Sequence, residues 1–198
     1  IYRVSYEKAP EYSPIKLEKS NPEGLLKALK NDNMFWRMNA QRLLVERGNK
    51  DVVPQLTALL KSTETDEVGI NAPAIHALWT LKGLDAVDKN ILEIAASHPS
   101  ADVRKNALKV MNFNSETVEL LLENNLLNDK EPLVVLNALL VLSKSPLTAK
   151  AEAAFFDKLK STKDATDRWL PDAFATVLTA NDGKLMKKLL AVQSGKNI

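Results

Sequence analysis

Apolar residues recur along this chain at helical spacing, and the recurrence itself repeats. In residues 33–48, NMFWRMNAQRLLVERG, Trp36, Ala40, Leu43 and Leu44 form one apolar stripe and Gly48 ends it. Three-and-four spacing of this kind predicts an amphipathic helix with a glycine stop. A short polar residue precedes the alanine at the centre of the stripe. The same pair returns as His76-Ala77, Asn106-Ala107, Asn137-Ala138 and Asp172-Ala173, at intervals of 37, 30, 31 and 35 residues. Four positions after the alanines stand Leu44, Leu81, Met111, Leu142 and Val177; four before them stand Trp36, Pro73, Val103, Val134 and Trp169. A small residue that lets helices approach, flanked by larger apolar ones, is a packing unit. Repeated at this period, it predicts stacked helix pairs.

The first helix of each pair is expected at 22–30, 52–61, 86–97, 115–126 and 148–160. The second helices are expected at 33–48, 71–82, 101–111, 131–144 and 164–180. Ser20 with Glu23 reads as a capping box and Asp51 as an N-cap. After Asp182-Gly183, residues 184–193 form a last helix expected to bury Leu185, Met186, Leu189 and Leu190, with no second helix behind it. The expected fold is therefore all-α: a right-handed α-solenoid of about five helix pairs over 21–198, plus a terminal unpaired helix. Residues 1–20 differ. Tyr2-Arg3-Val4-Ser5-Tyr6 alternates as a strand does, while Pro10 and Pro14 oppose a helix. A start at Ile1, without methionine or a signal-peptide pattern, makes the chain an expected piece of something longer.

Composition narrows the chemistry. With 45% apolar and 26% charged residues the chain has the make-up of a globular protein, and six glycines among abundant leucine, alanine and lysine favour helices. There is no cysteine, which removes disulfides, thiol catalysis and cysteine-ligated zinc. A net charge of +2 argues for neither a nucleic acid nor a membrane surface. The most apolar run, 133–142, is ten residues with Asn137 inside it. A membrane span needs about 20 residues, so this run reads as a core helix.

The sequence Asp102-Val103-Arg104-Lys105-Asn106-Ala107-Leu108 after His98-Pro99 resembles a HEAT repeat of the short bacterial type. Asn33-Met34-Phe35-Trp36-Arg37 and Asp167-Arg168-Trp169 fill the equivalent turn. In HEAT proteins a turn acid and a second-helix arginine form a ladder between repeats. Arg37, Arg104 and Arg168 match that arginine, and Ala74 and Val135 interrupt it. The segments FWRMNAQRLLVERGNKDVVPQL, GINAPAIHALWTLKGLDA and RWLPDAFAT are similar to the HEAT segment of large bacterial multidomain proteins. Those proteins carry a sorbosone- or glucose-dehydrogenase-like β-propeller before it and often a c-type cytochrome domain after it. The resemblance implies a periplasmic or extracytoplasmic setting, with residues 1–6 as the end of a propeller. It implies no active-site residue in this segment, and no CxxCH is present.

Candidate chemistry is sparse. His76 and His98 lie in different repeats; His76 takes the position that asparagine holds elsewhere, and His98 reads as a solvated or capping turn residue. No metal-ligand spacing, nucleophile elbow or phosphate loop appears, and Asp66-Glu67 lie in an exposed loop. Trp36 and Trp169 share the core register, whereas Trp79 falls two positions past its alanine and is expected to be partly exposed. Tryptophan and arginine are enriched in binding hot spots. The candidate interaction surface is therefore Arg37, Trp79, Arg104 and Arg168, facing a protein partner. The expected function is a non-catalytic interaction or spacer module without cofactor, metal or small-molecule substrate. Two alternatives are a nucleic-acid-binding HEAT-like repair protein, which would need a continuous basic stripe, and an accessory module of a neighbouring dehydrogenase domain.

Overall fold

The computed structural model describes residues 6–8, 15–162 and 167–193. Among the described residues it is all-helical, with no strand. The α-helices are α1 (Pro22–Ala28), α2 (Met34–Arg47), α3 (Val53–Leu60), α4 (Ala72–Gly83), α5 (Lys89–Ala96), α6 (Ala101–Val110), α7 (Ser115–Glu123), α8 (Pro132–Lys144), α9 (Ala149–Ser161) and α10 (Leu170–Gln193). Short 3-10 turns at Lys50–Val52 and Leu126–Asn128 complete them. The strand expected at 2–6 falls mostly outside the described residues, as does the expected helix start at Asp164.

Local chemistry sets the helix ends. Asn21, Asn33, Asn71, Asp88, Asn114 and Thr148 each accept a first-turn N–H with the side-chain oxygen, satisfying donors a helix cannot satisfy internally. Two expected caps are corrected. Asn21, not Ser20, caps α1, receiving the Gly24 N–H at 3.0 Å. Asp51 lies inside a 3-10 turn and pairs with Arg47 at 2.5 Å instead. Gly48 stops α2 at φ +71, where a side chain would be strained.

The even-numbered helices touch in succession, α2 to α4 to α6 to α8 to α10, and so do α3, α5, α7 and α9. Cross-contacts join α1 to α2, α3 to α4 and α5 to α6. All five repeated alanines, Ala40, Ala77, Ala107, Ala138 and Ala173, are buried. At Gly83 the approach of α4 to α2 is closer still: an added Cβ would lie 2.5 Å from Val45 Cγ2. The core consists of two apolar clusters, one centred on α1 to α4 and one on α7 to α10, and Leu92 packs against both.

The C-terminal end departs from expectation. Residues 170–193 form one continuous helix, with Gly183 at φ +67 marking the point where a break was expected. The expected terminal unpaired helix is therefore the second part of α10. Leu185 is buried and Met186 and Leu189 pack on the core, but Leu190 is 55% exposed. Glu152, on α9 and 7% exposed, accepts Lys184 at 2.7 Å and also Lys188, binding this part of α10 to the rest.

Candidate interaction surface

The sequence-predicted arginines do two different things. Arg104, 9% exposed at the start of α6, donates from Nη1 to the carbonyls of His98 at 2.7 Å and Pro99 at 2.8 Å. Its Nε and Nη2 grip Asp129, in the turn between α7 and α8, at 2.6 and 2.9 Å. Arg37 makes the same first contacts on its own turn, from Nη1 to Asn31 O at 2.6 Å and Asp32 O at 2.8 Å. Its Nε is buried without a hydrogen-bond partner among the described residues. Both arginines thus staple the turn that precedes their helix, and Arg104 alone reaches the neighbouring turn. Burial opposes ionisation of Asp129, but hydrogen bonds from Arg104 and the Glu131 N–H outweigh it and hold the carboxyl below its usual range.

His98 belongs to the same staple, which the sequence reading missed. Of the two expected roles, solvated or capping, it is not solvated, at 4% exposed, and its ring caps the N–H of Ser100 where α6 opens. Its Nδ1 accepts the Ser100 N–H at 3.0 Å, so Nε2 carries the proton donated to Ser62 O at 3.0 Å. Hydrogen bonds therefore run from Ser62 through His98 and Arg104 to Asp129, tying the α3–α4, α5–α6 and α7–α8 turns. A His-Pro dipeptide carries no local signal for this, because Ser62 lies 36 residues away.

Trp79 sits elsewhere, half-buried on α4. Its indole N–H donates to Asn106 Oδ1 on α6 at 2.9 Å. It borders a groove of about 620 Å³ between α2 and α4 that Met38, Asn39, Arg42, Val45, Lys82 and Gly83 also line. The asparagine before three of the five central alanines has one role here. Asn39, Asn106 and Asn137 each donate Nδ2 to the carbonyl four residues back, at 2.8, 2.8 and 2.7 Å. His76 instead meets Gln41 Oε1 across α2 and α4 at 2.7 Å. Burial pushes its pKa down to about 4, with the Arg37 charge adding to the effect.

Among the described residues Arg168 neither staples a turn nor joins this groove. It stacks over the Trp169 ring at 4.7 Å, and Trp169 is 53% exposed rather than core. The helix explains this: α10 begins at Leu170, after Asp167 Oδ1 accepts the N–H groups of Trp169 and Leu170 at 2.7 and 2.8 Å. Trp169 thus precedes the helical register that would aim it inward. Trp36, also assigned to the core, is half-buried with its ring edge on the exposed Phe35 at 5.0 Å. The four predicted residues do not converge on one site.

Among the described residues no cluster of three or more His, Asp or Glu could hold a metal ion, and no helix is long and apolar enough to cross a membrane. Apolar side chains stand exposed on α2 (Met34, Phe35, Met38) and on α8 (Leu133, Leu140). No protein-family model matches the chain, and no curated protein matches it in sequence.

Proposed function

We propose that this chain is a non-catalytic protein-docking module, an α-solenoid of HEAT-like helix pairs whose even-numbered helices carry the partner. Neighbour-to-neighbour contact along both rows of helices supports the solenoid reading. The groove at Trp79 carries the functional reading: an aromatic anchor in an apolar trough, rimmed by Arg42 and Lys82. Trp79 is held by Asn106 before any partner arrives, and a pre-ordered side chain loses little entropy on binding. The rim leans basic: Arg42 and Lys82 line it against one acid, Glu46, which Arg42 shares with Lys19, and among the described residues the Lys82 ammonium hydrogen-bonds to the neutral amide of Asn112. The partner is therefore a polypeptide segment with an apolar anchor and flanking acids. The setting beside a propeller domain, outside the cytoplasm, comes from the sequence resemblance.

A random-peptide display library panned against the whole chain tests this. Enriched peptides should pair acidic residues with an apolar or aromatic anchor, and both Trp79→Ala and the charge reversal Lys82→Glu should weaken them. Trp169→Ala should leave them bound. Absence of enrichment, or peptides indifferent to Trp79 and Lys82, would overturn the proposal.

A further inference from the structure

One segment of this chain has the chemistry that the Trp79 groove asks of a partner. The loop of residues 62–70, between α3 and α4, carries Glu64, Asp66 and Glu67, and no lysine or arginine stands between Lys61 and Lys82. Val68 is 77% exposed, more than any other large apolar side chain among the described residues. The loop is also fixed in shape. Asp66 Oδ1 accepts the N–H groups of Val68 and Ile70 at 3.1 and 2.8 Å. The Gly69 N–H donates to the Asp66 carbonyl at 3.0 Å, with Gly69 at φ +82. Glu64 and Asp66 border a cavity of about 400 Å³ beside Lys30 and Arg37, whereas Glu67 and Val68 are not among its walls. Other exposed apolar side chains lack such a setting. Lys144 lies over Phe113 at 5.1 Å, Arg168 lies over Trp169 at 4.7 Å, and Leu133 follows Lys130 as well as Glu131.

We infer that the 62–70 loop of a second copy of this chain fills the Trp79 groove, with Val68 as the apolar anchor and Glu67 against the rim of Arg42 and Lys82. The inference rests on the docking reading above and names its partner. A chain cannot seat its own loop there. The loop enters α4 through Asn71, which is buried and donates Nδ2 to Ser62 O, whereas Trp79, Lys82 and Gly83 belong to the last turns of the same helix. At about 1.5 Å per residue, α4 keeps loop and groove roughly 15 Å apart. The two surfaces lie at opposite ends of one helix, so the contact is head-to-tail, and a copy bound through its loop still offers its groove. Both sides are ordered beforehand, the loop by Asp66 and Trp79 by Asn106, which lowers the entropy lost on contact. Opposite charges favour the encounter and lose strength with salt. A loop of this size buries well under the roughly 1,000 Å² of a stable interface. The assembly is therefore weak and grows with concentration.

Sedimentation of the full chain from about 10 μM to about 1 mM, the range in which a weak pair fills, tests this. At low salt the average mass should rise with concentration above that of one chain, and about 0.5 M salt should reverse most of the rise. Glu67→Gln together with Val68→Ser removes the chemistry of the loop at exposed positions, and Lys82→Glu reverses that of the groove. Each variant alone should stay a monomer. Mixed in equal amounts they should form a pair and nothing larger, because one keeps a working groove and the other a working loop. A native chain that is monomeric at about 1 mM would overturn the inference, as would self-association that survives in either variant or a mixture that forms no pair. Docking is read separately. Selected peptides that bind at Trp79 on a monomeric chain leave the docking reading standing and remove only the second copy as occupant.

Discussion

Arg104→Ala removes the most buried cation among the described residues, and its cost can be worked from its contacts. Four hydrogen bonds are lost, two to the Asp129 carboxylate and two to the carbonyls of His98 and Pro99. At about 1.5–3 kcal/mol for each bond to a charged group, a simple sum would exceed the whole stability of many domains. That sum double-counts, because desolvation of the guanidinium is recovered when it is deleted. The better guide is removal of one partner from a buried ion pair, which costs about 3–5 kcal/mol through the charge left behind. The Asp129 side chain is only 7% exposed, so its carboxylate would be such a charge. With a urea dependence of about 2 kcal/mol per molar, the midpoint followed by circular dichroism at 222 nm should fall by about 1.5–2.5 M. Asp129→Asn, which can keep an acceptor for the Glu131 N–H, should cost less. A loss below about 1 kcal/mol in Arg104→Ala, the range of exposed pairs, would refute the view that Arg104 ties the α5–α6 and α7–α8 turns together.

Three further outcomes follow from the packing. Gly83→Ala would drive a methyl to within 2.5 Å of Val45 Cγ2; it should destabilise by about 1–3 kcal/mol in urea titration, and Val45→Ala should recover most of that. Glu152→Ala removes the acceptor of Lys184 and Lys188. Amide exchange at residues 184–193 should then rise well above that in α8, while the rest of the chain keeps its protection. His76 has a folded pKa depressed to about 4, so between its unfolded value of 6.5 and that point the unfolded chain binds more protons. Stability should therefore fall as pH drops from about 6.5 towards 4, and His76→Gln should flatten that part of the profile, measured as urea midpoints at constant salt.

What the sequence made legible was the part of the fold written at fixed spacing. The central alanines are buried because the helical register puts them against neighbouring helices. The polar position before them is hydrogen-bonded in α2, α4, α6 and α8, with Asn106 linking α6 to Trp79 on α4. Features that depend on where a helix begins were misread. Trp169 shares the core register in sequence but stands before the first residue of α10, and so lies at the surface. Leu190 was assigned to the buried face of a separate last helix, but in α10 that face is filled by Leu185, Met186 and Leu189 and Leu190 lies at the surface. Contacts between turns were legible only in part. The pairing of Arg104 with the turn acid Asp129 has the form of the ladder expected from the resemblance, whereas the partner of His98, Ser62, lies 36 residues away and no local pattern announces it. Arg37 and Arg104 could be seen as equivalent, but only coordinates separate a completed guanidinium from an incomplete one.

The docking surface is tested most directly by the Trp79 indole N–H in a nitrogen–proton correlation spectrum, titrated with an acidic, apolar-anchored peptide selected from the library. The indole resonance and the amides of α2 and α4 around Met38, Arg42 and Lys82 should move together and saturate, while those of α3, α5 and α7 stay in place. A peptide that binds with the Trp79 indole unmoved, or with its shifts confined to α3, α5 and α7, would contradict a docking face on the even-numbered helices.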